Sequence, residues 1–235
     1  MLLCKHIFTY EKLQMLQPST LTYIKDLTAN NNKPWFEENR NAFNNAKDDF
    51  QKLVTEIITT FGTVDPDIAP LEAKNCIFRQ YRDVRFSKDK TPYKHHMGAS
   101  FDRGGKKSGF AGYYLHIQPG NKSMAGGGIW MPEGPALKKI RQEIDYGWDE
   151  FSDIINKKEF KLVYGELQQG EFKLSREPKG YEKDNPAIEY LKLKSLVAIR
   201  PLTDEELVSK DLLQKIMQAF EALMPLLKFI NRSLE

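Results

Sequence analysis

The sequence predicts an α+β protein: a single domain over residues 1–235, in which helices from both termini pack against a largely antiparallel sheet. The order along the chain is helices, then strands, then helices, which is typical of this class. Short connections rich in Gly, Lys and Pro join the predicted strands, as in antiparallel hairpins. No internal repeat, low-complexity tract or long linker divides the chain.

Two helices are predicted in the N-terminal part of the chain. The first starts at Ser19 as N-cap and stops at the asparagines of 30–32. The second is a long amphipathic helix over about 34–61, with Pro34 in its first turn, where a missing N–H costs nothing. This helical hairpin needs a sheet or further helices to cover its apolar face.

Four segments then have the composition of short strands: 76–81, 98–103, 110–118 and 123–130. In the third segment one face is apolar, with Tyr113, Leu115 and Ile117. The opposite face carries Tyr114 and His116, as expected of a sheet face that lines a groove.

The C-terminal part is predicted to be helical around one buried strand. Thr203 and Glu206 have the spacing of a capping box. The predicted segments are helices at 133–146 and 149–155, an irregular stretch at 157–183 with a possible strand at 171–174, a helix opening at 184–186, a strand at 196–199 and a C-terminal helix over about 210–232.

Composition limits the class of protein. Hydrophobic residues make up 40% and charged residues 29%, as in an ordinary soluble domain. Cys4 and Cys76 form neither a disulfide framework nor a metal-binding spacing, which favours a reducing compartment. The apolar run at the N-terminus is too short for a secretory signal, and no segment is long and apolar enough to span a membrane. We therefore expect a cytoplasmic protein.

Positive charge is concentrated between Arg79 and Lys94. This basic stretch has a net charge of +4, whereas the whole chain has +3. Extending the window to Lys107 gives +6 over 29 residues, against −3 elsewhere. Aromatic residues and Pro92 alternate with the cations, a pattern that indicates a pre-organised surface rather than a disordered tail.

The basic stretch is therefore a candidate anion site. Arginine offers a planar fork of donors that matches phosphate and carboxylate, and lysine offers a point charge. Asp83 and Asp89 of this stretch can orient neighbouring cations, and His116 is a candidate for a groove wall. The candidate ligand-binding residues are Arg79, Arg82, Asp83, Arg85, Lys88, Asp89, Lys90, Tyr93, Lys94 and His116. The alternative is a solvated surface of ordinary ion pairs.

Other chemistry is weakly indicated. No histidine or cysteine spacing predicts a metal site, because the adjacent His95 and His96 point in different directions in any regular element. Gly126–Gly128 lacks the Lys-Ser/Thr of a phosphate loop and is more typical of close backbone approach. Asp83 with Lys90 could act as an acid–base pair, but structural ion pairs are more common. Catalytic residues and cofactors are not indicated.

The run Arg79-x-x-Arg82-Asp83-x-Arg85-Phe86-x-x-Asp89-Lys90-x-x-Tyr93 resembles the signature of a family of roughly 230-residue proteins catalogued only as a domain of unknown function. The segments at 30–40, 112–120 and 141–144 are also similar to that family, so the resemblance covers about residues 19–200. It implies one domain with a functional site at the signature, and no established activity, substrate or cofactor.

Three functions compete at this point. The first is a pre-organised Arg/Lys pocket for a phosphate- or carboxylate-bearing small molecule, with or without catalysis. The second is a nucleic-acid-binding surface, in which cations track phosphates and aromatic rings stack on bases. The third is a structural or interaction protein whose arginines pair with internal carboxylates. No membrane partner is expected, and the oligomeric state is not indicated.

Overall fold

The computed structural model describes residues 15–170 and 173–235. Within these ranges the chain forms ten helices and four strands. The helices are α1 (Pro18–Ala29), α2 (Lys33–Glu38), α3 (Arg40–Phe61), α4 (Ala73–Cys76), α5 (Gly134–Tyr146), α6 (Trp148–Asn156), α7 (Lys158–Tyr164), α8 (Ile188–Leu191), α9 (Asp204–Leu207) and α10 (Leu212–Arg232). The strands are β1 (Met97–Asp102), β2 (Gly112–Ile117), β3 (Ser123–Ile129) and β4 (Leu196–Leu202). The expectations that involve Cys4 and the N-terminal apolar run lie outside the described residues.

The strands form one sheet in the order β1-β2-β3-β4, and each neighbouring pair is antiparallel. This confirms the predicted α+β class with an antiparallel sheet packed against helices. No described helix is long and apolar enough to cross a membrane.

One face of the sheet carries the hydrophobic core. Side chains of β2 on this face, Tyr113 among them, are buried against α3 and α10. The rings of Phe61 and Phe220 meet edge to face with centroids 5.5 Å apart. The Tyr113 hydroxyl donates a hydrogen bond to Asp65 Oδ2 at 2.6 Å, so a polar group within this core has a partner.

The opposite face of the sheet is built largely from small residues. In one row across the strands, Ser100 of β1 lies beside Tyr114, which faces Gly126. In the next row Asp102 lies beside Gly112, which faces Gly128. Because glycine has no side chain, the middle of this face is a shallow floor.

Both outer edges of the sheet meet other backbone segments. On the β1 side, Phe78 N–H donates to Gly98 O at 2.9 Å, next to a single bridge between Ile77 and Ala99. On the β4 side, Gln168 N–H donates to Val197 O at 2.8 Å.

Three predictions in the N-terminal half were wrong in detail. The first helix does not have Ser19 as its N-cap but begins at Pro18, with Gln17 as N-cap. The helix expected over 34–61 is interrupted at Asn39, whose backbone leaves the helical conformation (φ −101°, ψ 22°) and whose side-chain amide and backbone N–H both donate to Trp35 O, at 2.9 and 3.0 Å. The strand expected at 76–81 is not formed. Its first residue closes the short helix α4, and Ile77 and Tyr81 make only isolated bridges.

The C-terminal half follows the prediction more closely. The capping box between Thr203 and Glu206 is confirmed, and α10 matches the expected helix. The stretch over 157–183 contains the unpredicted helix α7, and the helix expected to open at 184–186 is the short α8. Part of the strand expected at 171–174 lies outside the described residues, and Lys173 makes only an isolated bridge.

Candidate functional site

A cavity of about 790 Å³ lies over the glycine-rich face of the sheet. Its walls come from the β1–β2 hairpin, the segment that leads from β3 into α5, and Phe78. Its volume falls within the range of small-molecule sites. Most of its lining is apolar or aromatic, including Phe78, Phe110, Tyr114, Met124, Ile129, Trp130, Met131, Val197 and Ile199.

The glycines of the floor are required by the backbone. Gly127 and Gly128 have φ angles of 153° and 130°. A Cβ on Gly127 would lie 2.2 Å from Gly112 O, and one on Gly128 would lie 1.9 Å from Leu196 O. The run is therefore part of β3, paired on both sides with close backbone approach, and is not a phosphate-binding loop.

A row of hydrogen-bonded polar side chains follows β2 at one end of the cavity. The Tyr114 hydroxyl lies 3.2 Å from His116 Nδ1, and His116 Nε2 lies 2.9 Å from Gln118 Oε1. The ring of His96 stacks on that of His116 with centroids 4.2 Å apart. Burial lowers the pKa of His116, and burial together with the neighbouring His116 lowers the pKa of His96 to about 4.

Asp102 is a partly buried carboxyl group at the cavity floor. Its Oδ1 accepts a hydrogen bond from Ser100 Oγ at 2.5 Å. Burial raises the pKa of this carboxyl, while the hydrogen bond from Ser100 and the charge of Lys106 lower it in part. The carboxyl therefore lies in an environment that disfavours its charged form.

Two lysine cations lie near the ring of Phe78 at the cavity wall, and the charge of Arg79 acts on one of them, Lys94. Lys94 Nζ lies 5.3 Å and Lys106 Nζ 5.1 Å from its centroid. Burial, followed by the charges of Arg79 and Lys106, lowers the pKa of Lys94. Lys106 donates to Ile77 O at 2.6 Å. Within residues 15–170 and 173–235, none of these cations forms a salt bridge.

The middle of the basic stretch is held together by its own polar groups. Arg82 donates to Asp89 Oδ2 at 2.5 Å and to Thr91 O at 3.1 Å. Hydrogen bonds from the Thr91 backbone and from Arg82 lower the pKa of Asp89 to about 2. Arg82 and Asp89 therefore stabilise a loop, and neither lines the cavity.

The remaining charged candidates also lie away from the cavity. Arg85 makes a two-point contact with Asp83, at 2.9 and 2.7 Å. Lys90 donates to Val84 O at 2.9 Å. Lys88 is exposed. The structure thus separates the charged candidates: Lys94 lies beside Phe78 at the cavity wall, Arg79 is near enough for its charge to lower the pKa of Lys94, and the others lie in the loop.

The last two candidates, Tyr93 and His116, do not lie in the charged loop. Tyr93 is buried in the core, where its ring stacks on Phe36 with centroids 4.1 Å apart. His116 lies on the cavity face of β2 and contacts the cavity through Tyr114. Among the residues that the structure describes, no group of three or more His, Cys, Asp or Glu side chains could hold a metal ion.

The residues of the site that were not among the sequence candidates include Phe78, Asp102 and Lys106. A weak signal existed for two of them, because the basic window extended to Lys107 includes Asp102 and Lys106. Phe78 carried no such signal. Its position beside the cavity depends on its pairing with Gly98, which a local pattern does not encode.

These features define an α+β protein with a cavity on the exposed face of an antiparallel sheet. The chain belongs to the family described as conserved hypothetical protein (DUF2461), whose model matches residues 19–229. No curated protein and no solved structure gave a significant match to the chain.

Proposed function

We propose that this protein binds a small organic molecule with a flat apolar body and a phosphate or carboxylate group. The body lies against the glycine floor between aromatic walls, and the anionic group lies beside Phe78. The observation that carries the proposal is the pair of Lys94 and Lys106 beside the ring of Phe78 at the cavity wall, with the charge of Arg79 acting on Lys94. We assign no reaction to the site.

The charge state of the cluster supports an anionic ligand. Burial of Lys94, followed by the charges of Arg79 and Lys106, lowers its pKa and makes its charged form less favourable. A bound phosphate or carboxylate would offset this repulsion and accept charge-assisted hydrogen bonds. Arg82 of the adjacent loop is less suited to this role, because its guanidinium is already paired with the Asp89 carboxylate.

The cavity lining supports the apolar body. Phe110, Tyr114 and Trp130 are aromatic residues of the wall, and a planar molecule can stack against them. The fluorescence of Trp130 can report ligand binding, because this side chain is exposed and lines the cavity. We further propose a cytoplasmic location, consistent with the unpaired thiol of Cys76.

The experiment compares 1-naphthyl phosphate and 1-naphthoate with 1-naphthol and inorganic phosphate, by calorimetry and tryptophan fluorescence. We expect wild-type protein to bind at least one naphthyl anion about tenfold or more tightly than either uncharged naphthol or phosphate, because both halves of the probe contribute. Arg79→Gln and Lys94→Gln should weaken that binding by about 10–150-fold, the loss expected for one hydrogen bond to a charged group.

Arg85→Gln and Lys88→Gln are the matched controls. They remove the same charge from the same basic stretch but lie in the loop, away from the cavity. They should weaken binding less than twofold. Equal losses in both pairs of variants, or no binding of either naphthyl anion at millimolar concentration, would contradict the proposal.

A second function, binding of single-stranded nucleic acid, is favoured by the exposed aromatic residues of the basic stretch. Phe86 is 96% and Tyr81 45% exposed, and the guanidinium of Arg85 lies 5.8 Å from the centre of the Phe86 ring. Such a pair can stack on a base and contact a phosphate.

A labelled 15-nucleotide oligomer tests this second function by fluorescence anisotropy. We expect an affinity that falls steeply with salt, and a loss of about fivefold or more in Phe86→Ala. Tyr146→Ala is the control, because Tyr146 is 79% exposed but lies outside the basic stretch. Absence of binding at low salt excludes this function.

A further inference from the structure

Among the described residues, only one oxygen of the Asp102 carboxylate accepts a hydrogen bond from a side chain. Its Oδ1 accepts the hydrogen bond from Ser100 Oγ. Within the described ranges, no other side-chain hydrogen bond and no salt bridge reaches this carboxyl group. Asp102 also lines the cavity.

The sheet makes room for this carboxylate. Asp102 lies opposite Gly112 on the neighbouring strand. A Cβ on Gly112 would lie 1.9 Å from Asp102 Oδ1. The carboxylate therefore lies across the backbone of β2, in space that any larger residue at position 112 would fill.

The nearest cation does not neutralise Asp102 by direct contact. Lys106 donates instead to Ile77 O at 2.6 Å and lies over the ring of Phe78. Its charge lowers the pKa of Asp102 in part, but no ion pair forms. A partly buried carboxylate with an unused acceptor is costly unless something donates to it.

We propose that Asp102 recognises the cavity ligand by accepting a hydrogen bond from a hydroxyl or amino group of that ligand. The inference rests on the proposed function and narrows its ligand class. The ligand is an aromatic anion that also carries a hydrogen-bond donor on its ring system. The cations around Phe78 contact the anionic group, Asp102 contacts the donor, and aromatic walls such as Phe110 and Trp130 contact the ring between them.

The first test compares 1-naphthoate with a set of ring-hydroxylated 1-naphthoates, which are isomers of one another that differ in the position of the hydroxyl group. We expect at least one isomer to bind wild-type protein about tenfold more tightly than 1-naphthoate, as reported by calorimetry. Asp102→Asn, which keeps the shape of the side chain, should remove most of that preference. It should leave the affinity for 1-naphthoate itself unchanged or slightly higher, because a negative charge near the anion is lost.

The second test uses pH, with Ser100→Ala as the variant. A carboxylate accepts the donor and a neutral carboxyl does so less well, so the preference is present at neutral pH and lost as pH falls through the Asp102 pKa. Ser100→Ala removes a hydrogen bond that lowers this pKa. The preference should therefore be lost at a higher pH in Ser100→Ala than in wild type, a shift that a merely structural role for Ser100 would not produce.

The pH test must account for the other charged and titratable groups around Asp102. These are Lys106 of the hairpin, the thiol of Cys76 in α4, the phenol of Tyr114 in β2, and Glu133 at the cavity wall. Burial raises the pKa of Cys76 to about 11 and also raises that of Tyr114, so neither ionises between pH 4 and 7 in the folded protein. Glu133→Gln controls for the remaining carboxyl group.

The outcomes separate the two proposals. If 1-naphthoate binds but no hydroxylated isomer binds more tightly, or if the preference persists in Asp102→Asn, the role of Asp102 is wrong and the proposed function stands. If no naphthyl anion binds wild-type protein, both are wrong. If Asp102→Asn fails to fold, the pH shift in Ser100→Ala still decides the question.

Discussion

Arg82 and Asp89 are joined across a seven-residue separation by a hydrogen bond of 2.5 Å between Nη1 and Oδ2. The Arg82 side chain is 22% exposed, whereas that of Asp89 is 52% exposed. The Arg82 backbone N–H also donates to Pro92 O at 2.9 Å, so one residue closes the loop through both its backbone and its side chain.

This closure predicts that Arg82→Gln loosens the loop. Trypsin should cleave the variant between residues 85 and 90 at least about tenfold faster than wild type, because local opening exposes the chain. The melting temperature should change little, since few core contacts are lost. Lys88→Gln is the control and should leave cleavage after Arg85 unchanged. Equal cleavage of Arg82→Gln and wild type would show that the loop does not depend on Arg82.

Asn31 fixes the position of Tyr93 through its side chain. Its Oδ1 accepts from Tyr93 N–H at 3.0 Å, and its Nδ2 donates to Tyr93 O at 3.0 Å. Asn31→Ala should lower the free energy of unfolding by roughly 1–3 kcal/mol, because the backbone of a buried residue loses its partners. Urea denaturation measures this. Asn30→Ala removes an exposed amide contact to Asp26 O and should cost less; equal costs would contradict the role of Asn31.

Gly127 should tolerate no side chain. Gly127→Ala would strain a φ of 153° and place a Cβ 2.2 Å from Gly112 O, so we expect a loss of about 2–4 kcal/mol in unfolding free energy or a failure to fold. Gly134 has open space at its Cβ position and begins α5. Gly134→Ala should therefore be neutral or slightly stabilising by thermal denaturation. Similar melting temperatures for the two variants would refute the close approach of the strands.

The stacked pair of His96 and His116 predicts a loss of stability in mild acid. The unfolded chain takes up a proton at His96 near pH 6.5, whereas in the folded protein the pKa is about 4. The unfolded state therefore binds more protons between these values, and stability falls as pH falls through the window. His96→Phe keeps the ring stack and removes this proton uptake.

Between pH 7 and 4.5 the melting temperature of His96→Phe should fall by about 2–4 °C less than that of wild type, as expected if about 1 kcal/mol of the acid effect is removed. His95→Gln, a change at the adjacent histidine, serves as the control. Identical acid profiles for wild type and His96→Phe would show that this site does not govern the acid response.

The strands of the sheet could be predicted from the sequence because their pattern is local. Strand-like composition and short Gly-, Lys- and Pro-rich connections placed β1, β2 and β3 within one or two residues of their observed ends. Alternation of apolar and polar side chains identified the face of β2 that carries Tyr114 and His116. The strand expected at 76–81 also has a suitable composition, but only isolated residues of it find partners.

The grouping of the cations could not be predicted in this way. Charge along the sequence does not show that Arg82 pairs within its loop while Lys94 lies beside Lys106 from another hairpin. That arrangement depends on two bridges: Ile77 pairs with Ala99 of β1 just before the basic stretch, and Tyr81 pairs with Tyr93, which joins the two ends of the stretch. Pairing of distant segments is set by the whole fold rather than by local preference.

The two backbone contacts at the outer edges of the sheet have a consequence for solubility during storage and expression. Unpaired strand edges are templates on which a second chain can add a strand and begin an aggregate. Here Phe78 occupies a hydrogen-bonding position beside β1, and Gln168 occupies one beside β4. Substitutions that detach either segment should therefore promote self-association at high concentration before they lower thermal stability.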